Sequence, residues 1–373
     1  MMKCSLQAKR CGGCTRLSVP YEKQLTFKQN KVRALFGKAA PIVGMKEPYH
    51  YRNKVISAFA FDKQGLISGM YAYGTHYVLP TDECLLENER ASEIVAIVRD
   101  ILSKLGVHAY DEKRKNGVLR FVQVRYAKKT KQALLTVVTN QPNMPHLRTF
   151  VQQVTERCPD VVSIVHNQNE RAGSAVLGFQ EVVIYGNGTI QDVLCGKKFN
   201  IASRSFYQVN SLQTERLYDA AIGMAKLTKE DTILDAYCGI GTIGIIASKY
   251  AKKVIGIEIN SAAVKLAKQN AILNGVKNIT FRQGDAGKEL IKMEEHMDVV
   301  ILDPPRSGSD KAFMQAIIDR KPKKVVYISC DINTQHRDIQ PLLKAGYTIQ
   351  NVKPVDMFPH TEHIECVVLL TKG

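Results

Sequence analysis

Short apolar, β-branched runs recur down the second half of the chain and alternate with segments of helical spacing. Ile233-Leu234, Val254 to Ile257, Ile279 to Gln283, Val299 to Leu302 and Val325 to Ile328 read as buried strands of a parallel sheet. A helix is expected after the glycine-rich turn Gly239 to Gly244, another from a cap at Ser261 to Gly275, and a third after Cys330. Two further strands, Tyr347 to Val352 and Cys366 to Thr371, close the pattern. Strand alternating with helix in this way predicts a Rossmann-like α/β domain over residues 191–373.

The first half is patterned differently. Tyr49-His50-Tyr51-Arg52-Asn53-Lys54 leads into a strand-like run to Phe59, and Gly65 and Gly69 punctuate what reads as short antiparallel strands. Arg90 to Leu105 has helical spacing and stops near Gly106. Asn116-Gly117 is a turn signal, and the alternation from Val118 to Arg125 is that of a half-buried strand. A helix from Pro145 to Cys158 and a strand from Val161 to His166 complete an α+β region over residues 1–190.

Composition narrows the class. No apolar run is long enough to cross a bilayer, and the stretch from Met1 to Arg10 lacks a signal peptide's apolar core. A cytoplasmic protein with nine reduced cysteines is expected, and no oligomer is indicated, so a monomer is the expected state. The formal net charge is +17. Residues 1–190 hold 27 basic against 15 acidic residues, and residues 191–373 hold 25 against 20. A basic surface concentrated in one half is the footprint of a phosphate polymer. Basic residues interleaved with Tyr, Phe and His there suit an RNA backbone and its unpaired bases.

The cysteines are grouped. Cys4, Cys11 and Cys14 surround a Cys-Gly-Gly-Cys core, and the next is Cys84. The glycines let the chain turn tightly enough for neighbouring thiolates to face one metal centre. Four thiolates suit a zinc ion or an iron–sulfur cluster, and the spacing does not decide between them.

In the second half, Gly239, Gly241 and Gly244 fit G-x-G-x-x-G after a strand, which permits close backbone approach to a nucleoside cofactor. Glu258 at the next strand tip can accept both ribose hydroxyls of NAD or of S-adenosylmethionine. Asp285, one strand further, is placed to meet an adenine amino group. Asp303-Pro304-Pro305-Arg306 puts an acid and two rigid prolines at the fourth strand end, resembling the catalytic-loop motif of S-adenosylmethionine-dependent methyltransferases. An antiparallel terminal strand pair is also a feature of those domains. Cys330 ends the following strand as a candidate nucleophile, and Glu365 at the start of the last strand returns to the same edge. A thiol beside a carboxylate suits methylation at C5 of a pyrimidine: thiolate addition at C6 makes C5 nucleophilic, and a base then removes the C5 proton. His360 and His363 are other candidate bases. A nicotinamide oxidoreductase accounts for the glycines and Glu258 but not for the Asp-Pro-Pro or the Cys330/Glu365 pair. A non-catalytic RNA-binding protein accounts for the charge but has no need of the thiol.

Together these motifs resemble the RNA uracil-C5 methyltransferases of the TrmA/RumA type. The resemblance rests on the cysteine group, Tyr51-Arg52-Asn53-Lys54, Ser205-Phe206-Tyr207-Gln208-Val209-Asn210, Asp235 to Gly241, Asp303 to Arg306, Ile328-Ser329-Cys330 and Phe358-Pro359-His360-Thr361 through Glu365. It implies Cys330 as the C6 nucleophile and Glu365 as the base. It further implies Gln208, Tyr237, Glu258 and Asp303 as S-adenosylmethionine contacts, with Cys4, Cys11, Cys14 and Cys84 as ligands of a [4Fe–4S] cluster. A cluster without an extra β-barrel domain ahead of it is closest to the RumB branch, which methylates a uridine in 23S rRNA.

Overall fold

The computed structural model describes residues 4–63, 65–171, 173 and 175–373, and the chain divides into two compact units. One unit comprises Met1–Thr15, Pro48–Val193 and Asn200–Arg204; the other comprises Arg16–Glu47, Leu194–Phe199 and Ser205–Gly373. This division departs from a single cut between residues 190 and 191. Helix α1 (Tyr21–Phe36) belongs to the C-terminal unit, and the sequence pattern did not announce it. Its buried face carries Gln24, Lys28 and Gln29 beside Val32, so the apolar period that marks an amphipathic helix is missing.

The N-terminal unit is built on β1 (Lys54–Asp62), β2 (Gly65–Tyr71), β3 (Val78–Pro80), α2 (Glu89–Lys104), β4 (Leu119–Ala127), β5 (Gln132–Thr139), α3 (Leu147–Arg157), β6 (Val161–Gln168) and β7 (Gln180–Tyr185). The strands form one sheet in the order β3-β2-β1-β4-β5-β6-β7. Its β5–β6 pair is parallel, amid antiparallel neighbours, and α3 is the crossover that a parallel neighbour requires. Val55 and Phe59 of β1, Val122 and Val124 of β4, and Leu135 and Val137 of β5 face α2 and α3 in the main core of this unit. The opposite face carries a smaller cluster around Ala58, Phe121 and Val138. Strands β8 (Thr189–Leu194) and β9 (Lys197–Ala202) form a separate two-stranded sheet.

The C-terminal unit continues through α4 (Ser211–Ala225), β10 (Thr232–Ala236), α5 (Thr242–Ala247), β11 (Lys253–Glu258), α6 (Ser261–Leu273), β12 (Ile279–Gln283) and α7 (Ala286–Lys292). It ends with β13 (Val299–Leu302), α8 (Lys311–Arg320), β14 (Lys324–Ser329), α9 (Ile332–Lys344), β15 (Tyr347–Val355) and β16 (Glu365–Lys372). The sheet order is β12-β11-β10-β13-β14-β16-β15, parallel from β12 to β14 and antiparallel where β16 enters between β14 and β15. This is the expected Rossmann-like α/β domain. Leu234, Ile255, Val300, Val325 and Val368 are fully buried in its core, together with Val32 of α1. One cap differs from the sequence reading. Asn260, not Ser261, closes the start of α6 by accepting the Ala263 N–H at 3.0 Å, and Gly275 takes the left-handed conformation just past its end. Among the described residues no helix is long and apolar enough to cross a membrane.

Candidate active site

Parallel strands buried on both faces leave their carboxyl-terminal tips as the place where polar side chains can converge. A thiol and two carboxyls meet at adjacent tips here. Ser329 at the end of β14 is registered opposite Cys366 of β16, so Cys330 lies beside Glu365. Asp303 follows β13, the other neighbour of β14. Glu365 is buried, and its Oε2 accepts no hydrogen bond among the described residues. Burial, with the Asp303 charge beside it, holds the Glu365 carboxyl well above the usual range. Burial pushes Asp303 up to about 7. Cys330 is half-buried, and desolvation with the charges of Glu365 and Asp303 raises its thiol to about 11, while Arg306 pulls the other way. The resting site therefore favours a neutral thiol and a protonated Glu365.

The turn beyond Cys330 is fixed by short-range polar contacts. Asp331 caps α9 by accepting the N–H groups of Asn333 and Thr334 at 3.0 and 3.2 Å. Its own N–H donates to Ser329 Oγ at 3.1 Å, and Arg306 Nε lies 3.5 Å from its carboxylate. Gln335 of α9 donates to the carbonyls of Tyr327 and Cys366, tying β14 to β16 just below the thiol.

The glycine turn between β10 and α5 forms a second part of the site. Gly241 has φ 83°, and a Cβ there would meet Phe281 at 2.9 Å, so glycine is required. Tyr237 is itself left-handed at φ 62° and packs edge-on against Phe313. Glu258 at the tip of β11 accepts the N–H groups of Gly239 and Asn260 at 3.1 and 2.8 Å. Gln208, Tyr237 and Asp303 line one cavity of about 40 Å³, along with Gly239. Glu258 and Asp285 do not line it, although Glu258 holds a glycine that does. Asp285 caps α7 by accepting the Lys288 N–H at 3.0 Å. Asp235, which the sequence offered only as part of a motif, is fully buried, accepts the Gly244 N–H at 2.8 Å and is raised to about 7 by desolvation.

Sequence reasoning missed the support beneath the last loop. Lys28 of α1 is buried and pairs with Asp356 at 2.5 Å, also donating to the Phe358 carbonyl. Tyr21 donates to the other Asp356 oxygen at 2.7 Å. Gln24 accepts the His360 N–H at 3.0 Å and contacts its Nδ1 at 3.1 Å. His360, a candidate base from sequence, is thus a buried, left-handed residue locked to α1, whereas His363 is exposed against Phe358. The signal that α1 mattered was a lysine and two glutamines at helical spacing, which reads as a solvated face.

In the N-terminal unit the four cysteines are free and half-buried. Burial comes first in raising Cys14 to about 11, followed by the charges of Cys11, Cys4 and Cys84, so the other three thiols all lie within electrostatic reach of Cys14. Cys84 is also raised to about 11, chiefly by burial. Arg52 donates to the Gly13 carbonyl at 3.2 Å, and Cys11 bridges to Ala72 just beyond β2. Among the described residues no group of three or more His, Cys, Asp or Glu side chains is arranged to hold a metal ion. The expected four-cysteine metal site is therefore not shown by the arrangement of the described residues.

Comparison with known proteins gives a consistent picture. The family model described as tRNA (uracil-5-)-methyltransferase matches residues 21–373. An uncharacterised RNA methyltransferase of Bacillus cereus is 40% identical over 374 residues, covering 97% of this chain and 81% of its own. Another from Clostridium acetobutylicum is 37% identical over 382 residues, with 99% and 83% covered. Among solved structures, the Pyrococcus abyssi tRNA (uracil-54, C5)-methyltransferase in complex with S-adenosyl-L-homocysteine superposes with a TM-score of 0.81 at 26% identity, covering 97% of this chain and 86% of that one.

Proposed function

Because the chain belongs to the tRNA (uracil-5-)-methyltransferase family, RNA methyltransferases that use S-adenosylmethionine, we propose that it methylates C5 of a uridine in 23S rRNA. The observation that carries the chemistry is the convergence of Cys330, Glu365 and Asp303 at adjacent strand tips. Gln208, Tyr237, Glu258, Asp285 and Asp303 are assigned to cofactor binding. Support comes from the cavity shared by Gln208, Tyr237 and Asp303, and from Gly239, which lines it and has no atom within 4 Å of where a Cβ would stand.

S-adenosylmethionine supplies an electrophilic methyl group. The Cys330 thiolate forms a bond to C6 of the uracil, and the electron pair displaced from C5=C6 makes C5 the nucleophile. C5 takes the methyl group, and the S–CH₃ bond electrons stay with the departing sulfur. Glu365 then removes the C5 proton, C5=C6 re-forms, and the thiolate leaves. Both Cys330 and Glu365 must be charged to act, yet burial holds both neutral at rest. The positive charge that S-adenosylmethionine would bring when bound would favour the charged forms of both side chains. The target base has to leave its stack to reach Cys330.

Cys4, Cys11, Cys14 and Cys84 are assigned to a [4Fe–4S] cluster, supported by the electrostatic reach of the other three to Cys14. A transfer RNA substrate is a second reading, favoured by the substrate of the Pyrococcus abyssi enzyme. The deciding experiment supplies methyl-labelled S-adenosylmethionine and total RNA from cells lacking the gene. Label recovered as 5-methyluridine in the large rRNA is expected. The same nucleoside in tRNA replaces the substrate and keeps the chemistry, whereas label on cytosine or an exocyclic amine overturns the role given to Cys330.

A further inference from the structure

The N-terminal unit contains a groove of about 1230 Å³. That exceeds the roughly 300–1,000 Å³ of a small-molecule pocket and suits a polymer. Its wall is rich in rings, among them Phe61, Tyr71, His76, Tyr77, His108 and Tyr110. Tyr71 stacks on His76 at 5.2 Å with 22° between planes, and Phe61 leans on His108 at 5.1 Å. Phe61 and Tyr77 are open to solvent, at 50% and 65% exposure. Scattered single exposures are ordinary, but two on the wall of one groove, among further rings, form a platform for flat ligands.

The rim is a rigid cationic turn. Asp111 Oδ1 accepts the N–H groups of Lys113 and Arg114 at 2.8 and 3.1 Å, and Lys115 N–H donates to the Asp111 carbonyl. Gly117 closes the turn at φ 84°, where a Cβ would lie 2.0 Å from the Ala109 carbonyl oxygen. The groove's acids are already matched. Glu112 lies 2.9 Å from His76 and 3.3 Å from Arg120, and Asp111 lies 3.9 Å from Arg114. Among the described residues no ion pair engages Lys113, which lines the groove, so the charge left over there is positive.

We propose that this groove binds a single-stranded stretch of RNA, with bases stacked on Phe61 and Tyr77 and phosphate facing Lys113. The inference rests on RNA being the substrate. Stacking needs unpaired bases, because a duplex hides their faces, and it tolerates any sequence because every base has a π-face. The groove lies wholly within the N-terminal unit and shares no residue with the candidate active site. It is a holding site for RNA flanking the target and takes no part in the chemistry.

The test measures fluorescence anisotropy of a labelled oligoadenylate of about 12 nucleotides, within the site sizes such grooves accept, against the full-length protein. Phe61→Ala and Tyr77→Ala are each expected to weaken binding about tenfold. Tyr77→Leu, which keeps apolar bulk without a ring face, is expected to lose as much as Tyr77→Ala, separating stacking from packing. Lys113→Gln is expected to flatten the salt dependence by about 0.7 in log–log slope, one phosphate being no longer neutralised. Tyr250→Ala, on the other unit, leaves binding unchanged. Ring variants that bind as the wild type does, or a duplex of equal length that competes equally, overturn the groove. Assaying methyl transfer in parallel keeps the two readings apart. A wild-type protein that methylates no uridine sinks the functional reading while anisotropy still scores the groove. Ring variants that bind and methylate normally sink the groove alone.

Discussion

At the residue scale, the site's difficulty is protonation. A thiol at about 11 beside two carboxyls held up by burial is a poor nucleophile until charge enters the site. Deprotonation of a group whose pKa is raised increases with pH, so kcat/KM is expected to climb by at least about tenfold per pH unit between about pH 6 and 9, and more steeply where Glu365 titrates with Cys330. A profile flat over that range, once product release is shown not to limit turnover, removes Cys330 thiolate as the attacking species. Cys330→Ala is expected to lower turnover by at least about 10⁴-fold, in line with the loss of other catalytic nucleophiles, while binding S-adenosylhomocysteine normally. Glu365→Gln leaves the nucleophile but removes the base, so a covalent RNA–protein adduct is expected to accumulate and to survive denaturing electrophoresis. Free release of methylated product by that variant would assign the C5 proton to another group.

At the scale of elements, α1 holds the loop that delivers Glu365. The Lys28–Asp356 pair is fully buried, where removing one partner strands the other. Burial lowers the Lys28 pKa, and the Asp356 charge beside it raises it again. Lys28→Ala is expected to cost about 3–5 kcal/mol, read as a lowered urea midpoint. The double variant Lys28→Met, Asp356→Leu should recover most of that stability, because two apolar groups carry no unpaired charge. A single variant as stable as the wild type would show that α1 is not what holds the loop. The same buried polar packing explains why α1 was not foreseen: its inward face reads as an outward one.

At the scale of the whole molecule, the four cysteines belong to the N-terminal unit and Cys330, Glu365 and Asp303 to the C-terminal one. Purified without oxygen, the protein is expected to carry iron and acid-labile sulfide in equal amounts, and Cys14→Ser to abolish both. That variant should also lower the first thermal transition, since metal binding free energy is folding free energy. Affinity for S-adenosylhomocysteine should be unaltered. Zinc in place of iron, or no metal at all, would overturn the cluster assignment.

The strand before Cys330 was legible from the apolar run Val325 to Ile328, and the strands β10 to β13 from the same grammar, because a strand buried on both faces is apolar nearly throughout. The Asp-Pro-Pro turn, Glu258 and the start of β16 at Glu365 could likewise be read locally. Three things were decided only by tertiary structure. Glu365 was expected at the Cys330 edge, but the insertion of β16 between β14 and β15 is a long-range pairing, and no local pattern encodes register between strands so far apart in the chain. The buried polar face of α1 depends on partners more than 300 residues away, at Asp356 and His360. That Asp285 Oδ1 caps α7 by accepting the Lys288 N–H was likewise not legible, because only the folded backbone shows which N–H a strand-tip carboxylate meets.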